Sequence, residues 1–521
     1  MKARKPILAL ALALALTLTA CGSAGTASSA AASASSAKSN TLVYGSNDYT
    51  RINPALDEHG EINALLFDGL TGHDKDNQVV PRLAESWELD KDTNTYTFHL
   101  RQDVTWHDGE KFTAEDVKFT IEAIQDPKNE SENASNYEDV EKITVVDDHT
   151  VKFQLSAPNY AFLDYMTMAI LPKHLLEGKD LQTDDYFRHP IGTGPYKLQS
   201  WDAGQAITLV RNEDYFRGKA HIETIIFRIV PDSNAKALQL KSGELNLSQV
   251  TPKDAKTFAD AKGQTVYEMK TSDYRGILYN FGNEYWQKNA DLIPAFNYAI
   301  DRQAMIDAVL LGAGEVAYGP LQRNIYNCED VEHYDYDPDK AMKTLEAAGC
   351  TKGKDGFYYR DGQKVGFVIS VGAGDQVRLD MAQIAAQQLK AVGVDVTVDV
   401  PAQVDWGGQE AYLIGWGSPF DADDHTYKVF GTGKGSNYSS YSDKLVDQYL
   451  TEARQTNDTQ KRKEAYAKFQ KELAKHPAYT FFCYIDAFYV ADSNLKGITP
   501  ETVLGHHGVG IFWNVLDWTL E

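Results

Sequence analysis

The chain has 521 residues, four of them cysteine, and a formal net charge of −23 at pH 7. This acidity disfavours nucleic acids and other polyanions as partners, because a surface that binds phosphate must be locally positive. Four cysteines in so long a chain exclude a disulfide scaffold, whereas 43% hydrophobic and 11% aromatic residues are ample for real cores in two or three domains.

The first residues have the pattern of a lipoprotein signal. A basic segment precedes an apolar run over residues 7–18, which is too short to span a bilayer and is typical of a secretory signal. Small residues then lead to Cys21, as a lipoprotein signal peptidase requires. We predict a signal peptide over 1–20, acylation of Cys21 and a flexible tether over 21–40, rich in Ser, Ala, Gly and Thr. Two acyl chains would hold the protein on a membrane where one is marginal. A plain signal peptide with an incidental cysteine is the alternative.

Several segments after the tether alternate between apolar and polar residues, which predicts β-strands. They are 41–46, 96–101, 206–212, 224–230 and a hairpin over 143–155 that turns at Asp147 and Asp148.

Three helices have predicted ends. Thr113 and Asp116 form a capping-box pattern for a helix that ends at Gln125, before Pro127. The others run from Pro338 to about Gly349 and from Asp375 to Ala391, the last followed by Gly393 and a strand over 394–400. A helix followed by a glycine and a strand is the unit of a layered domain, so we predict a mixed α/β or α+β architecture.

Cysteine and histidine positions give further expectations. A disulfide between Cys328 and Cys350 and two free thiols are both compatible with the sequence, whereas Cys483 lies in an apolar strand-like run and is predicted to be a buried thiol. His506 and His507 are adjacent, and neighbouring residues rarely bind one metal, so solvent exposure or packing between domains is the better interpretation.

Motifs of catalysis are absent from the sequence. It contains no HExxH, paired CxxC, GxSxG or GxxxxGK[ST] pattern. We therefore predict a protein that is not an enzyme and has no cofactor.

Four aromatic and glycine-rich segments interrupt the regular patterns and are candidate walls of a cleft. They are 44–60, 190–196, 271–283 and 412–441. Within the first, the loop Asp57–Glu61 packs three carboxylates and the imidazole of His59 into five residues. This loop could hold a cation or an ammonium group, and a solvated acidic loop would look the same.

Longer motifs follow one another along the mature chain. They are Pro81–Trp87, Tyr96–Arg101, Val104–Val117, Gly192–Tyr196, Ala299–Arg302 and Gly415–Gly417. Together they resemble the extracytoplasmic solute-binding proteins of dipeptide, oligopeptide and nickel ABC importers, often called solute-binding protein family five. The similarity covers essentially the whole mature chain.

The resemblance implies a two-lobed periplasmic-binding-protein-like fold with a large first lobe and hinge crossovers. Lobe I would contain residues 41–272, with an inserted subdomain at roughly 75–200, and lobe II residues 273–485. Residues 486–521 would return to lobe I. The lobes would close around the ligand, because the ligand contacts both lobes only when they are shut.

The resemblance also implies aromatic ligand contacts. In the nickel-chelate branch a tryptophan and an aromatic residue four positions later line the pocket, and here they are Trp416 and Phe420. The aspartate that holds the ammonium group in peptide-binding members has its place taken by Pro419, with Asp421 as a candidate contact nearby. Glu58 and His59 lie in a loop that aligns with a pocket-lining loop of the nickel branch.

The charged ligand contacts of the family are harder to assign to residues of this sequence. The nickel branch has two carboxylate-binding arginines. At one of these positions this sequence has Met168, and at the other, near Asn136, it has no arginine. Arg275, with Tyr274 at the expected crossover, is the best cation for a ligand carboxylate. A structural salt bridge is an equally open interpretation of Arg275, and Arg51 is a second candidate.

The function implied is that of an extracytoplasmic, lipid-anchored, monomeric binding protein that delivers a small peptide or amino-acid-like ligand to the permease and ATPase of an ABC importer. One alternative is a protein that binds nickel or another metal carried as a chelate, which would be the ligand and not a cofactor. An alternative of another class is a sensor or adhesion lipoprotein that feeds no transporter.

Overall fold

The computed structural model describes residues 40–56 and 60–521. The predicted signal peptide, the lipidation site Cys21 and the tether up to residue 39 lie outside the described residues, as do Glu58 and His59. Within the described ranges, every helix falls short of the length and apolarity that crossing a bilayer requires.

The chain alternates between strands and helices. The strands are β1 (Thr41–Ser46), β2 (Thr71–His73), β3 (Val79–Pro81), β4 (Ala84–Asp90), β5 (Thr95–Leu100), β6 (Val140–Asp147), β7 (Thr150–Leu155), β8 (Tyr196–Asp202), β9 (Ala206–Arg211), β10 (Thr224–Ile229), β11 (Leu247–Val250), β12 (Gln264–Tyr279), β13 (Gly314–Val316), β14 (Thr351–Lys352), β15 (Tyr358–Arg360), β16 (Gln363–Lys364), β17 (Gly366–Ser370), β18 (Asp395–Asp399), β19 (Ala411–Trp416), β20 (Tyr479–Asp492), β21 (Leu495–Lys496) and β22 (Thr519–Leu520).

The helices are α1 (Asn63–Leu66), α2 (Ala114–Gln125), α3 (Phe162–Tyr165), α4 (Lys173–Leu176), α5 (Ser233–Ser242), α6 (Pro252–Lys256), α7 (Glu284–Asn289), α8 (Ile293–Tyr298), α9 (Arg302–Val309), α10 (Pro338–Ala347), α11 (Gln376–Ala391), α12 (Tyr427–Phe430), α13 (Lys444–Arg454) and α14 (Thr459–Lys475). Short 3₁₀ segments include Ala422–His425, between β19 and α12, and His506–Gly508, between β21 and β22.

Most of the predicted elements are confirmed. Strand β1 has the predicted bounds, and the hairpin β6–β7 turns where Asp147 and Asp148 predicted it. Helix α2 begins with the predicted capping box: the backbone N–H of Thr113 donates to Asp116 Oδ2 at 2.9 Å. Helix α11 begins after Asp375, whose carboxylate accepts from the backbone N–H of Arg378 at 2.9 Å.

A sheet of eleven strands runs through the molecule in the order β18-β17-β19-β12-β20-β11-β1-β10-β9-β8, with β13 attached to β20. Parallel pairs, β17–β18 and β1–β10, lie in the two halves of this order, which is expected of layered α/β units. Strands β4, β5, β7 and β6 form a separate antiparallel sheet.

The long antiparallel strands β12 and β20 connect two hydrophobic cores. Met269 of β12 belongs to a core built mainly from residues 42–227 and 487–518, whereas Ile277 of the same strand belongs to a core built from residues 277–413. Strand β20 makes the passage in reverse, from Phe482 in the second core to Tyr489 in the first. The register between the two strands shifts between Lys270 and Tyr274, where the passage occurs.

The cysteines are unpaired among the described residues. Cys328 and Cys350 are free, so the disulfide that the sequence left open is not formed. Cys483 is a fully buried thiol in β20, as predicted, and burial raises its pKa to about 12.

Candidate functional site

Trp416 ends β19, where that strand pairs with the middle of β12 and Arg275 lies opposite Gly415. A Cβ atom on Gly415 would lie 1.9 Å from Arg275 Nη1, and a Cβ atom on Gly417 would lie 2.0 Å from the carbonyl oxygen of Ser272. Only glycine at both positions therefore lets Arg275 and the backbone of Ser272 come this close to β19 and the residue that follows Trp416. Together they hold the indole of Trp416 beside the point where the long strands pass between the cores.

Arg275 forms a buried ion pair with Asp273, and the two side chains are 4% and 0% exposed. Asp273 also contacts the C-terminal segment: His506 Nδ1 lies 2.9 Å from its Oδ1, and the backbone N–H of His507 donates to its Oδ2 at 2.9 Å. Burial opposes ionisation of Asp273, but Arg275 and His506 outweigh burial and hold its pKa well below the usual value. The structural salt bridge that was one interpretation of Arg275 is thus present.

A second arginine, Arg378 of α11, reaches the same place. Its Nη2 atom would lie 3.0 Å from a Cβ on Gly415, beside the guanidinium of Arg275. Arg378 Nε lies 3.2 Å from Asp375 Oδ2, and burial, followed by the charge of Arg275, lowers the pKa of Arg378. The Nε atoms of both arginines are buried and lack a well-oriented hydrogen-bond acceptor among the described residues. Such donors, held in pairs, are complementary to a carboxylate.

A cavity of about 520 Å³ adjoins Arg275, whereas Arg378 is outside its lining. Arg275, Asp375 and His507 line one part of it, and Glu61 and Lys236 line another. Small-molecule sites in proteins have volumes of roughly 300–1,000 Å³. The cavity therefore suits a compact solute such as an amino-acid derivative or a short peptide.

His507 presents a neutral imidazole to this cavity. Burial, followed by the charge of His506, lowers the pKa of His507 to about 2. A neutral imidazole can bind a metal ion. In residues 40–56 and 60–521, no cluster of three or more His, Cys, Asp and Glu side chains is arranged to hold a metal.

Aromatic side chains extend from Trp416 along one side of the site. The indole of Trp416 stacks on His506 with ring centroids 6.0 Å apart, and its other neighbour, Tyr438, is 6.4 Å away. Tyr438 in turn stacks on Trp406 at 4.5 Å. Lys428 Nζ lies 5.5 Å from the Trp416 ring centroid. Trp416 is thus held between aromatic rings and a cation.

Phe420 lines a second pocket, of about 390 Å³. Its ring stacks on that of His73, with centroids 3.8 Å apart and planes 7° apart, and His73 Nε2 lies 3.0 Å from Asp164 Oδ1. Met168 and Asn136, the positions where the resemblance has carboxylate-binding arginines, line the same pocket. One face of Phe420 is therefore covered by a protein ring, not open to a ligand.

Two predicted ligand contacts are engaged elsewhere. Tyr274 is fully buried, and its ring packs on Phe481 at 5.1 Å because neighbouring side chains on a strand point to opposite faces. We therefore assign Tyr274 to core packing. Both carboxylate oxygens of Asp421 accept from Arg462, at 2.5 and 2.6 Å, so Asp421 belongs to a bidentate ion pair.

Arg51 lies apart from the arginine pair at the crossing strands. Its Nη1 donates to the backbone and side-chain oxygens of Gln182, both at 2.9 Å, and it lines a pocket that contains Asp184 and Arg188. Glu58 and His59 lie outside the described residues, although their neighbour Gly60 lines the 520 Å³ cavity.

Residues that the sequence did not indicate complete the site. Arg378 and Asp375 lie in the first turn of a helix whose start was predicted, so the helix pattern could have suggested that they share a face. Tyr438 lies in the predicted wall segment 412–441. The sequence did not indicate that His507 and His73 belong to the site, because their neighbours come from distant parts of the chain.

A buried charged cluster joins residues 138–165 to residues 423–454. Arg454 Nη2 donates to Asp423 Oδ2 at 2.8 Å, and Arg454 Nη1 donates to Asp139 Oδ2 at 3.0 Å. Tyr165 also donates to Asp423, and Lys434 Nζ lies 2.6 Å from Glu138 Oε1. We call Arg454, Asp423, Asp139 and Tyr165 the Arg454 cluster.

Comparison with known proteins identifies close relatives. The model of the bacterial extracellular solute-binding proteins, family 5 Middle, matches residues 78–438. The oligopeptide-binding protein AppA of Bacillus subtilis is 31% identical over 490 residues, which cover 89% of this chain and 88% of that protein. The dipeptide-binding protein of Escherichia coli is 28% identical over 474 residues, covering 82% and 85%.

Solved structures agree with these matches. NikZ from Campylobacter jejuni in complex with Ni(L-His) is 36% identical with a TM-score of 0.86, and AppA from Bacillus subtilis in complex with a nonapeptide is 28% identical with a TM-score of 0.83. Each match covers 92% of this chain and 99% of the other. These neighbours are two-lobed periplasmic binding proteins, so the predicted fold class is confirmed. The lobe boundaries stay predictions.

The Arg454 cluster gives a prediction about stability. Arg454→Gln is expected to lower the free energy of unfolding by about 3 kcal/mol, because it leaves the buried Asp423 carboxylate without its cation. Urea unfolding followed by tryptophan fluorescence measures this change. Lys461→Gln, on the exposed side of α14, is the control and is expected to change little. Equal stabilities of the Arg454 variant and the control would contradict this assignment.

Proposed function

Because the chain belongs to the bacterial extracellular solute-binding proteins of family 5, we propose that it captures a small amino-acid-based solute and delivers it to an ABC importer. The observation that carries this proposal is the guanidinium of Arg275 on the wall of a cavity of about 520 Å³, with the guanidinium of Arg378 beside it. A ligand carboxylate would accept charge-assisted hydrogen bonds from this wall, and bonds of this kind are the stronger ones in proteins. Related structures that contain a nonapeptide or Ni(L-His) support a ligand built from amino acids.

The mechanism that we propose is closure of two lobes around the ligand. Lobe I comprises residues 41–272 and 486–521, and lobe II comprises residues 273–485. Glu61 and Lys236 of the first lobe and Arg275 and Asp375 of the second line the same cavity, which supports this mechanism. A solute that contacts both walls only in the closed form shifts the equilibrium toward closure.

A metal chelate is the second candidate ligand. The neutral imidazole of His507 on the cavity wall favours it, as does the 36% identity to a protein solved with Ni(L-His). A metal would bring most of its ligands from the chelator, because in the described ranges the chain offers no complete set of its own. His59, next to Gly60 of the same wall, is a further candidate donor.

The setting that we propose is the extracytoplasmic face of the cell membrane, with lipidated Cys21 as the anchor and the chain acting as a monomer. Its protein partners would be an ABC permease and ATPase. Capture and delivery break no covalent bond, so we propose no enzymatic activity. A sensor or adhesion lipoprotein is the alternative of another class, and permease and ATPase genes beside this one would argue against it.

Native mass spectrometry tests the proposal directly. Protein purified without refolding is expected to carry a small molecule, visible as a mass increment that disappears on denaturation. Metal analysis of the same sample separates the two candidates: an increment without metal supports an amino-acid or peptide ligand, and stoichiometric nickel supports the chelate. Protein that carries no increment and gains no thermal stability from L-His, from nickel with L-His or from dipeptides would contradict both.

Arg378→Gln is expected to weaken binding of the identified ligand by about 10- to 100-fold, because it removes a charged donor from the carboxylate. Isothermal titration calorimetry with the ligand and with its carboxamide analogue measures the effect. Wild type should lose affinity for the carboxamide, whereas the variant should discriminate little between the two, since the mutation and the analogue remove one interaction. Arg228→Gln, whose side chain is paired with Glu244 and does not line the cavity, is the control. Undiminished discrimination in the Arg378 variant would place the carboxylate elsewhere.

Trp416→Ala is expected to weaken ligand binding by about tenfold while the melting temperature of the empty protein changes little. The physical reason is that Trp416 is only partly buried, lies between His506 and Tyr438, and follows Gly415, which closely approaches Arg275. Calorimetric titration and thermal unfolding of the ligand-free variant measure the two quantities. Trp406→Ala, beyond Tyr438, is the matched control. A large loss of stability in the empty Trp416 variant would mark this residue as core.

A further inference from the structure

A second pair of arginines lies apart from Arg275 and Arg378. Arg82 and Arg217 line the pocket of about 390 Å³ that contains Phe420, and both also line an adjoining pocket of about 330 Å³. Trp513 and Leu516 line both pockets as well, so the two share a wall. Neither Arg82 nor Arg217 lines the 520 Å³ cavity beside Arg275.

Local packing holds Arg82 in this position. Its guanidinium lies across β2, where a Cβ atom on Gly72 would come within 2.5 Å of Arg82 Nε. The absence of a side chain at Gly72 is therefore what makes room for the arginine. Arg82 Nη2 donates to the backbone carbonyl of His73 at 3.3 Å, and the Arg82 side chain lines the pocket that Asp68 also lines.

The nearest carboxylate is already engaged. Tyr215 donates its hydroxyl to Asp68 Oδ1 at 2.8 Å, and Thr193 donates to Asp68 Oδ2 at 3.3 Å. Burial, followed by the charge of Arg217, lowers the pKa of Arg82, whereas Tyr215 and Asp68 oppose that change. Burial raises the pKa of Asp68, and the charges of Arg82 and Arg217 oppose that rise. Tyr215 also forms a hydrogen bond with Arg217.

The adjoining pocket contains further basic side chains, of which Lys219 is paired with Glu213 at 3.4 Å. Lys219 and His221 line it, and Asp517 is the acidic residue of its lining. A concentration of basic side chains is unexpected in a chain with a net charge of −23. An indole, that of Trp513, forms the wall between the two pockets. The surroundings thus combine two guanidinium groups, a partly open pocket and an aromatic side chain.

We propose that Arg82 and Arg217 form a binding site for a small oxyanion, a carboxylate or phosphate group, that is distinct from the Arg275–Arg378 site. Paired guanidinium groups bind such groups through several charge-assisted hydrogen bonds, and an anion between them relieves their repulsion. The two arginines line the same pocket as Phe420 and His73. This pocket would therefore favour solutes that carry an anionic group. The proposal stands independently of the identity of the transported ligand, because a free oxyanion suffices to occupy the site.

Calorimetric titration with inorganic phosphate, succinate and acetate tests the proposal, at low ionic strength held constant with sodium chloride because exposed charges are screened by salt. We expect saturable binding of phosphate or succinate to the full chain. Arg217→Gln is expected to weaken that binding at least about tenfold. Arg217 is exposed, so this variant should fold normally, and Arg82→Gln provides the second, partly buried variant. Arg228→Gln is the matched control and should bind like wild type.

The outcomes separate the possibilities. Phosphate bound more tightly than succinate identifies a phosphate site, and the reverse identifies a carboxylate site. Binding that is equal in wild type and in Arg217→Gln, or no saturable binding of either anion, would overturn the proposal. A failure of the proposed transport function is distinguishable from a failure of this site, because Arg217→Gln tests the oxyanion site, whereas Arg378→Gln with the carboxamide analogue tests the transported ligand. Crystals soaked in selenate should show anomalous density between Arg82 and Arg217; density elsewhere alone would count against it.

Discussion

The buried carboxylate of Asp273 is the charge on which the centre of the molecule depends. A fully buried, ionised carboxylate is tolerated only when its oxygens are paired and hydrogen-bonded. Arg275 supplies the cation, and His506 and the backbone of His507 supply the remaining contacts. The return of the C-terminal segment to β12 is thus an electrostatic requirement as well as a matter of packing, because an unpaired Asp273 would cost several kcal/mol.

The ion pair between Asp273 and Arg275 also shapes the candidate site. Asp273 pairs with only part of the guanidinium of Arg275, and Asp375 pairs with only part of that of Arg378. Gly415 lets the two arginines meet, since any side chain there would displace them. The structural ion pairs therefore position the arginines without satisfying all their donors. Structural and ligand-binding interpretations of Arg275 are compatible, because different atoms of one side chain serve the two roles.

Local chemistry explains which features could be predicted from the sequence. The capping box of Thr113 and Asp116 and the N-cap Asp375 are formed within a few residues, so the starts of α2 and α11 follow from short patterns. The site depends instead on contacts between distant segments. His73 covers Phe420, Arg462 engages Asp421, and the alternation of β12 sends Tyr274 into the core while Arg275 faces the cavity. No short pattern encodes such partners, although the glycines around Trp416 marked where the backbones approach closely.

In the lobe closure proposed above, the Arg454 cluster would stabilise the closed form while the ligand still controls it. The strongest part of the cluster, the buried pair of Arg454 and Asp423, lies wholly within residues 423–454 and would survive a separation of the lobes. The contacts to Asp139, Glu138 and Tyr165, and the hydrogen bond from the backbone N–H of Tyr160 to the carbonyl of Arg454, cross to the other segment. Water could replace them in an open form, because Asp139 is already 18% exposed. The proposed opening would therefore expose hydrogen-bonding groups without stranding a charge in the interior, which would keep its free-energy cost small. A shallow energy difference between open and closed forms is the condition under which a ligand of modest affinity can set the population of the closed form.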